Sequence, residues 1–317
     1  MGPRLAVETR KGNPNGSYGL QTRALFRSAS SRVLDVRKEE EQEQEQQPPQ
    51  QRQQGHDSGA EAVDNFRPSS HEPCMPLMDE VDRLLAQADT SFFFDTFALN
   101  DATSGHALSV LGFFLLERTG MASTFRMSLP RLARFLRQIE AGMKAVPYHN
   151  TVHVADVLQT LHVMSTLGGL SKAIADPLFM LSAYLAAIIH DFEHQGLTNA
   201  FLIATESPLA MRYNDTAPLE QHHLSSAFSV LKELDLMPSL PQPEYLRWQR
   251  VVIDMVLATD MVKHMEIMGR MSSLAAMVSA GSTSSKLSCR LSNSGLLLGS
   301  RFLINNRVCV CVCVCVW

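Results

Sequence analysis

No stretch of this sequence is long and apolar enough to cross a bilayer. The longest apolar run, Leu178 to Ile189, holds Ser182 and Tyr184 and stops after twelve residues, where a span needs about 20. No signal-peptide core follows Met1. A strong charge of one sign is missing too: the net charge is -4, which gives no pull toward nucleic acid or an anionic membrane. A disulfide framework is also absent. Cys74 and Cys289 stand alone, and Cys309, Cys311, Cys313 and Cys315 alternate within one tail. Residues i and i+2 of a strand point the same way and do not bridge readily, so the expectation is a reducing, cytoplasmic setting. Residues 1–34 carry Arg4, Arg10, Lys11, Arg23, Arg27 and Arg32 against Glu8 alone. They read as a disordered basic leader, with an organelle transit peptide as the alternative.

Strand signals are lacking as well. No hairpin turn and no apolar-polar alternation separates the periodic segments after residue 76. What is present is helical. In "SLPRLARFLRQIEAG", 128–142, Leu132, Phe135, Leu136 and Ile139 recur at i, i+3, i+4 and i+7. Ser128 is placed to cap that helix, Pro130 suits its first turn, and Gly142 suits its end. The same spacing appears in 81–88, 154–164, 224–234 and 245–258. The expectation is an all-α domain over 76–280.

Two flanks differ from it. Residues 1–75 lack periodicity, and "EEEQEQEQQPPQQRQQ" buries too little apolar surface to offset the entropy of ordering, so a disordered tail is expected. Residues 281–317 end in "VCVCVCVCVW". A GTGTGT repeat read in frame encodes alternating Val and Cys, so this tail reads as mistranslated repeat. The alternative is a real strand with one thiol face.

Four clusters carry chemistry. They are "YHNTVHVAD" (148–156), "HDFEH" (190–194), "LEQHH" (219–223) and "LATDMVKH" (257–264). His149, His153 and Asp156 are spaced to share one helical face, and His190 and His194 are again four apart, with Gly196 stopping the helix. Buried ionisable groups are costly unless paired or metal-bound. Histidine nitrogen with a carboxylate suits Zn²⁺, and further carboxylate with water suits Mg²⁺ or Mn²⁺. A lone helical histidine is more often a satisfied core residue, and His162 and His264 fit that description. His56, His71 and His106 read as loop, tail or surface. Seven of the eleven histidines fall between His149 and His223 in otherwise apolar stretches. Core packing does not account for that grouping.

These stretches resemble the class I 3',5'-cyclic nucleotide phosphodiesterases. The family pattern YHNxxHAxDV reads YHNTVHVADV here, with Val154 for the usual Ala. HDxxHxGxxNxF reads HDFEHQGLTNAF, with Glu193 for a frequent Asp and Gln195 for a frequent Pro. "LAMRYNDTAPLEQHH" and "VIDMVLATDMVKH" match two further signatures in order, and the resemblance covers about 78 to 280.

The resemblance implies the N-terminal part of a multi-helix phosphodiesterase catalytic domain that hydrolyses cAMP or cGMP to the 5'-monophosphate. It implies two divalent ions, Zn at the first site and Mg or Mn at the second. His153, His190 and Asp191 resemble ligands of the first ion, with Asp191 bridging to the second. His194, Glu220 and Thr259 resemble residues that hold the second ion's waters. Tyr148 and Asn199 resemble pocket positions. His149 resembles the general acid that protonates O3' while a bridging hydroxide attacks phosphorus.

The family's fourth ligand, a downstream Asp, and its purine-binding Gln have no counterpart: no Asp or Glu follows Glu266 and no Gln follows Gln249. The domain therefore reads as incomplete, and the 317-residue chain is expected to fold poorly and be inactive. The competing readings are a catalytically dead metal- or partner-binding fragment and a general His-Asp metal phosphohydrolase.

Overall fold

The computed structural model describes residues 75–279 apart from Leu170, Lys172, Ala173, Ala175 and Pro238. The expected tail 1–75, Met75 aside, and the Val-Cys tail 281–317 lie outside the described residues. Every regular element among the described residues is an α-helix, as the missing strand signals led one to expect. In chain order they are α1 (Met75–Thr90), α2 (Thr96–Ala102), α3 (Ala107–Arg118), α4 (Met121–Thr124), α5 (Leu129–Gly142), α6 (Thr151–Thr166), α7 (Pro177–Ile189), α8 (Asn199–Ala204), α9 (Pro208–Arg212), α10 (Pro218–Leu234), α11 (Gln242–Leu257) and α12 (Met261–Ser279). None is long and apolar enough to cross a membrane.

Two helices form the centre. α3 is buried from Ala107 to Leu116 and α7 from Leu178 to Ile189. A helix apolar all round must be covered on every side. α7 accordingly packs against α11, α6 and α3, while α3 also packs on α5. α10 closes the assembly by lying on α5 and α11. The main hydrophobic core runs from Val81 to Ile267, with Trp248, Phe113 and Phe135 among its largest members, and a small second cluster joins Leu202, Ala210 and Leu219.

The helix ends are set by short-range chemistry. Asp176 caps α7 by accepting from Leu178 N at 3.1 Å, and Pro177 fills the first position, where no N–H is needed. Asn150 caps α6 by accepting from Val152 N at 3.0 Å and His153 N at 3.3 Å. α5 departs from expectation at both ends. Ser128 is its N-cap residue but makes no side-chain capping bond. Gly142 is the last helical residue, not a left-handed terminator, and Met143 is the C-cap. A Cβ at Gly142 would run into the Phe192 ring. The glycine is there to let the turn after α7 approach the end of α5.

One set of buried polar groups in this core is fully partnered. His162 Nδ1 meets Tyr184 Oη at 2.6 Å, its Nε2 meets Asp89 Oδ1 at 3.0 Å, and Arg118 Nε donates to Asp89 Oδ2 at 3.0 Å. The chain ties α6, α7, α1 and α3 together. His162 is thus the satisfied core histidine its isolation suggests. His106, expected at the surface or in a loop, is the N-cap residue of α3 and pairs at 2.9 Å with the buried Glu140 carboxylate.

Candidate metal centre

α7 delivers the site and then stops. The helix ends at Ile189 and His190 is its C-cap. The chain turns at once, with Phe192 N donating to Ile189 O and His194 N to Asp191 O. Glu193 takes a φ of 63°, a left-handed conformation that prevents the helix from continuing. His190 and His194 therefore do not share a helical face, which corrects the i, i+4 expectation, and Gly196 is not what stops the helix. Gly196 has a φ of 74° and donates its N–H to His194 Nδ1 at 2.9 Å. His149 likewise does not lie on α6. It precedes the Asn150 cap, so only His153 and Asp156 are helical, and Asp156 Oδ1 accepts from Thr96 Oγ1 at 3.1 Å.

Folding still brings the four clusters to one place. Donor atoms of His153, His190 and Asp191 lie within 4.8 Å of one another, and so do those of Asp191, His194 and His223. Asp191 belongs to both groups. All five residues are buried. His190 Nε2 is 3.2 Å and His153 Nε2 3.4 Å from Asp191 Oδ2. These three atoms nonetheless have no hydrogen-bond partner. Two donors each about 2.1 Å from one ion at the tetrahedral angle stand about 3.4 Å apart. The spacing and the unpaired atoms suit a shared divalent cation.

The tautomers sort the histidines. His190 Nδ1 donates to Ala187 O at 2.9 Å and His223 Nδ1 to Phe192 O at 2.6 Å. Each leaves its Nε2 lone pair toward Asp191, at 3.2 Å and 4.0 Å respectively. This backbone-anchored arrangement is the usual one for a ligating imidazole. His194 is reversed. Its Nδ1 accepts from Gly196 N, so in the neutral ring Nε2 carries the proton. His194 is a donor, suited to a water or a phosphate oxygen and not to a metal.

Electrostatics agrees with a ligand set. Burial first, then His190, lowers His153 to about 4. Burial lowers His194 to about 4 and His223 to about 3. These imidazoles are neutral at pH 7, as metal ligation requires of His153 and His223. Burial opposes charge on Asp191 as well, but His190 and its other histidine neighbours outweigh it and hold the carboxyl well below the usual range. His190 is shifted the other way: burial lowers it, and Asp191 and the Ala187 carbonyl more than compensate.

The remaining expected residues surround this core. Glu220, buried at the start of α10, is raised mainly by burial, with Asp260 and Asp191 adding to the shift. Asn199 Nδ2 donates to Glu220 Oε2 at 2.9 Å, and its Oδ1 accepts from Leu219 N at 3.0 Å. It thereby caps α10 in place of Ala217, whose side chain offers no acceptor. Thr259 is buried after α11 and donates to Val256 O at 2.7 Å. Its neighbour Asp260 is the residue that acts on Glu220. His149 stacks on His194 with ring centroids 3.9 Å apart, and Tyr148, more than half exposed, lies at 4.6 Å from the His153 ring. A cavity of about 640 Å³ opens beside Tyr148 and His153, walled by Phe93, Phe94 and Phe97. His223 was visible only as part of "LEQHH". Its role depends on the Phe192 carbonyl, which no spacing rule reveals.

The model of the 3'5'-cyclic nucleotide phosphodiesterase family matches residues 148–298. The chain is 40% identical over 203 residues to a protein named probable 3',5'-cyclic phosphodiesterase of Caenorhabditis elegans, covering 63% of this chain and 30% of that one. It is 40% identical over 177 residues to a dual specificity calcium/calmodulin-dependent 3',5'-cyclic nucleotide phosphodiesterase of Rattus norvegicus, covering 55% and 33%. A Drosophila melanogaster protein of the same description is 36% identical over 219 residues, covering 68% and 26%. The chain thus spans a third or less of the length of these relatives.

Proposed function

We propose, from the premise that residues 148–298 belong to the 3',5'-cyclic nucleotide phosphodiesterase family, that this site hydrolyses a 3',5'-cyclic nucleotide to the nucleoside 5'-monophosphate. The observation that carries the reading is the unpaired set of His153 Nε2, His190 Nε2 and Asp191 Oδ2. His153, His190 and Asp191 would hold a Zn²⁺, and Asp191 would also serve a second ion, Mg²⁺ or Mn²⁺. When bound, such a pair lowers the pKa of water and clamps phosphoryl oxygens.

This chain's own residues do the rest. His194 presents Nε2–H to a water or a phosphate oxygen. Glu220, steadied by Asn199, accepts hydrogen bonds from water. Water attacks phosphorus in line as the P–O3' bond breaks; one of its protons stays on the new phosphate and the other passes to solvent, while His149 gives a proton to O3' and regains one from solvent. Imidazole is the side chain most often used for that task. Tyr148 and the cavity beside it supply one wall for the nucleotide. The setting is cyclic nucleotide signalling.

The test measures metal binding and turnover separately on the full chain with cAMP and cGMP. Formation of 5'-monophosphate that His149→Ala reduces at least a hundredfold, about the general-acid contribution, supports the reading. Metal binding without turnover favours a catalytically dead metal- or partner-binding fragment. Hydrolysis of nucleoside triphosphates but not of cyclic nucleotides points to a general phosphohydrolase.

A further inference from the structure

The turn that follows α7 carries Asp191 and His194, and one of its residues is in an unfavourable conformation. Glu193 has a φ of 63°. For a residue with a Cβ this left-handed geometry costs free energy, and it persists only where the surroundings fix it. The right-handed alternative would let α7 run on and place His194 one turn above His190. The grouping of Asp191, His194 and His223, whose donor atoms lie within 4.8 Å of one another, would then be lost.

Two consecutive residues of α10 fix the turn. His223 Nδ1 donates to Phe192 O at 2.6 Å. His222 Nε2 stands 2.8 Å from Glu193 Oε2. Neighbours on a helix point about 100° apart, so the two imidazoles grip adjacent residues of the turn, one by its backbone and one by its side chain. The second contact is partly screened from solvent: the His222 side chain is 18% exposed and that of Glu193 35%. It differs from an ordinary surface pair in what it joins. Glu193 lies two residues after Asp191, and His222 is next to His223. Neither belongs to the two groups of donor atoms around Asp191.

We propose that Glu193 and His222 are positioning residues, a strut between the turn after α7 and α10 that keeps Asp191 and His223 in place for a cation. The proposal rests on the metal-binding reading of this centre. Asp191 is shared by both groups of donors, so a turn released from α10 weakens the hold on the cation as a whole.

The test is calorimetric titration of Zn²⁺ into the chelator-stripped full chain at pH 7, with denaturant unfolding of the metal-free chain beside it. Glu193→Ala and His222→Ala should each weaken Zn²⁺ binding about tenfold, the low end for residues that only orient a ligand. The double variant should bind within about twofold of either single one, because both changes remove the same contact. Glu193→Gln keeps an oxygen and adds an N–H, so it can meet His222 in either tautomer and should keep most of the affinity. The metal-free unfolding midpoint should move little, since a part-exposed pair contributes little to stability. Losses that multiply in the double variant, or an unfolding midpoint that falls while Zn²⁺ affinity holds, overturn the strut. A loss in Glu193→Gln as large as in Glu193→Ala also overturns it, and shows the carboxylate acting on the cation by charge. Saturable binding by the unaltered chain that neither alanine variant changes overturns the strut and leaves the metal centre standing. No saturable binding by the unaltered chain overturns both.

Discussion

Two groups of buried histidines sit within the same helical core, and they end differently. In the first, His162 spends Nδ1 on Tyr184 and Nε2 on Asp89. In the second, His153 and His190 each keep an Nε2 with no hydrogen bond, facing an equally unpaired Asp191 oxygen. Leaving such atoms buried and unpaired costs roughly 1–3 kcal/mol each, so the second group is poor as a piece of core. The first group is what a structural histidine looks like. The second has the unmet hydrogen-bonding capacity that a divalent cation would satisfy. Burial alone does not separate them: His162 and His190 are both essentially inaccessible. Hydrogen-bond satisfaction does.

The largest expected effect sharpens that contrast. At a free Zn²⁺ concentration a thousandfold above Kd, the chain should gain about 4 kcal/mol of stability, read as a rise in melting temperature that a chelator reverses. Next comes His162→Ala, which leaves Tyr184 Oη unpaired in the core and Asp89 with Arg118 as its remaining partner. It should cost about 3 kcal/mol in denaturant unfolding while leaving Zn²⁺ affinity unchanged. If it weakens Zn²⁺ binding as much as a ligand substitution does, the two groups are not separate. Gly142→Ala should cost about 1–3 kcal/mol through collision with Phe192, with a secondary loss of metal affinity because the Asp191 turn shifts.

Acidity probes the same difference. Buried His153 and His194 are held near 4 and His223 near 3, against 6.5 for an unconstrained imidazole. The unfolded chain therefore takes up protons first as pH falls, and stability without metal should decline from about pH 7 to about pH 4. Asp191, held low, adds to the loss at more acid pH, while the raised His190 works against it. Three lowered imidazoles against one raised set the net direction. Added Zn²⁺ should move the decline to lower pH. Smallest of all, Tyr184→Phe should cost about 1 kcal/mol with no change in metal binding.

The sequence made the helices easy to place because one face of each is buried: Leu132, Phe135, Leu136 and Ile139 read directly as the inner stripe of α5. α7 was legible as a buried helix for the opposite reason, having no polar face. The metal-centre residues were legible as clusters through their motifs, but the route by which they meet was not. Periodicity placed His149 on α6 and His194 on α7, whereas Asn150 and Glu193 break the chain just at those points. Caps and left-handed turns depend on single residues and tertiary contacts, so spacing gives no warning of them. The two roles within the cluster were hidden as well. His223 and His194 look equivalent in sequence, yet the Phe192 carbonyl makes one an acceptor and the Gly196 amide makes the other a donor.

The central claim is that the unpaired atoms of His153, His190 and Asp191 exist to hold a divalent cation. The most direct measurement is calorimetric titration of Zn²⁺ into the chelator-stripped chain at pH 7, beside Asp191→Ala and Tyr184→Phe. Saturable binding is expected for the unaltered chain and for Tyr184→Phe, with an affinity loss in Asp191→Ala beyond the ~10- to 100-fold typical of changes to residues that only orient a ligand. Binding to Asp191→Ala as tight as to the unaltered chain, or none by either, would contradict that claim.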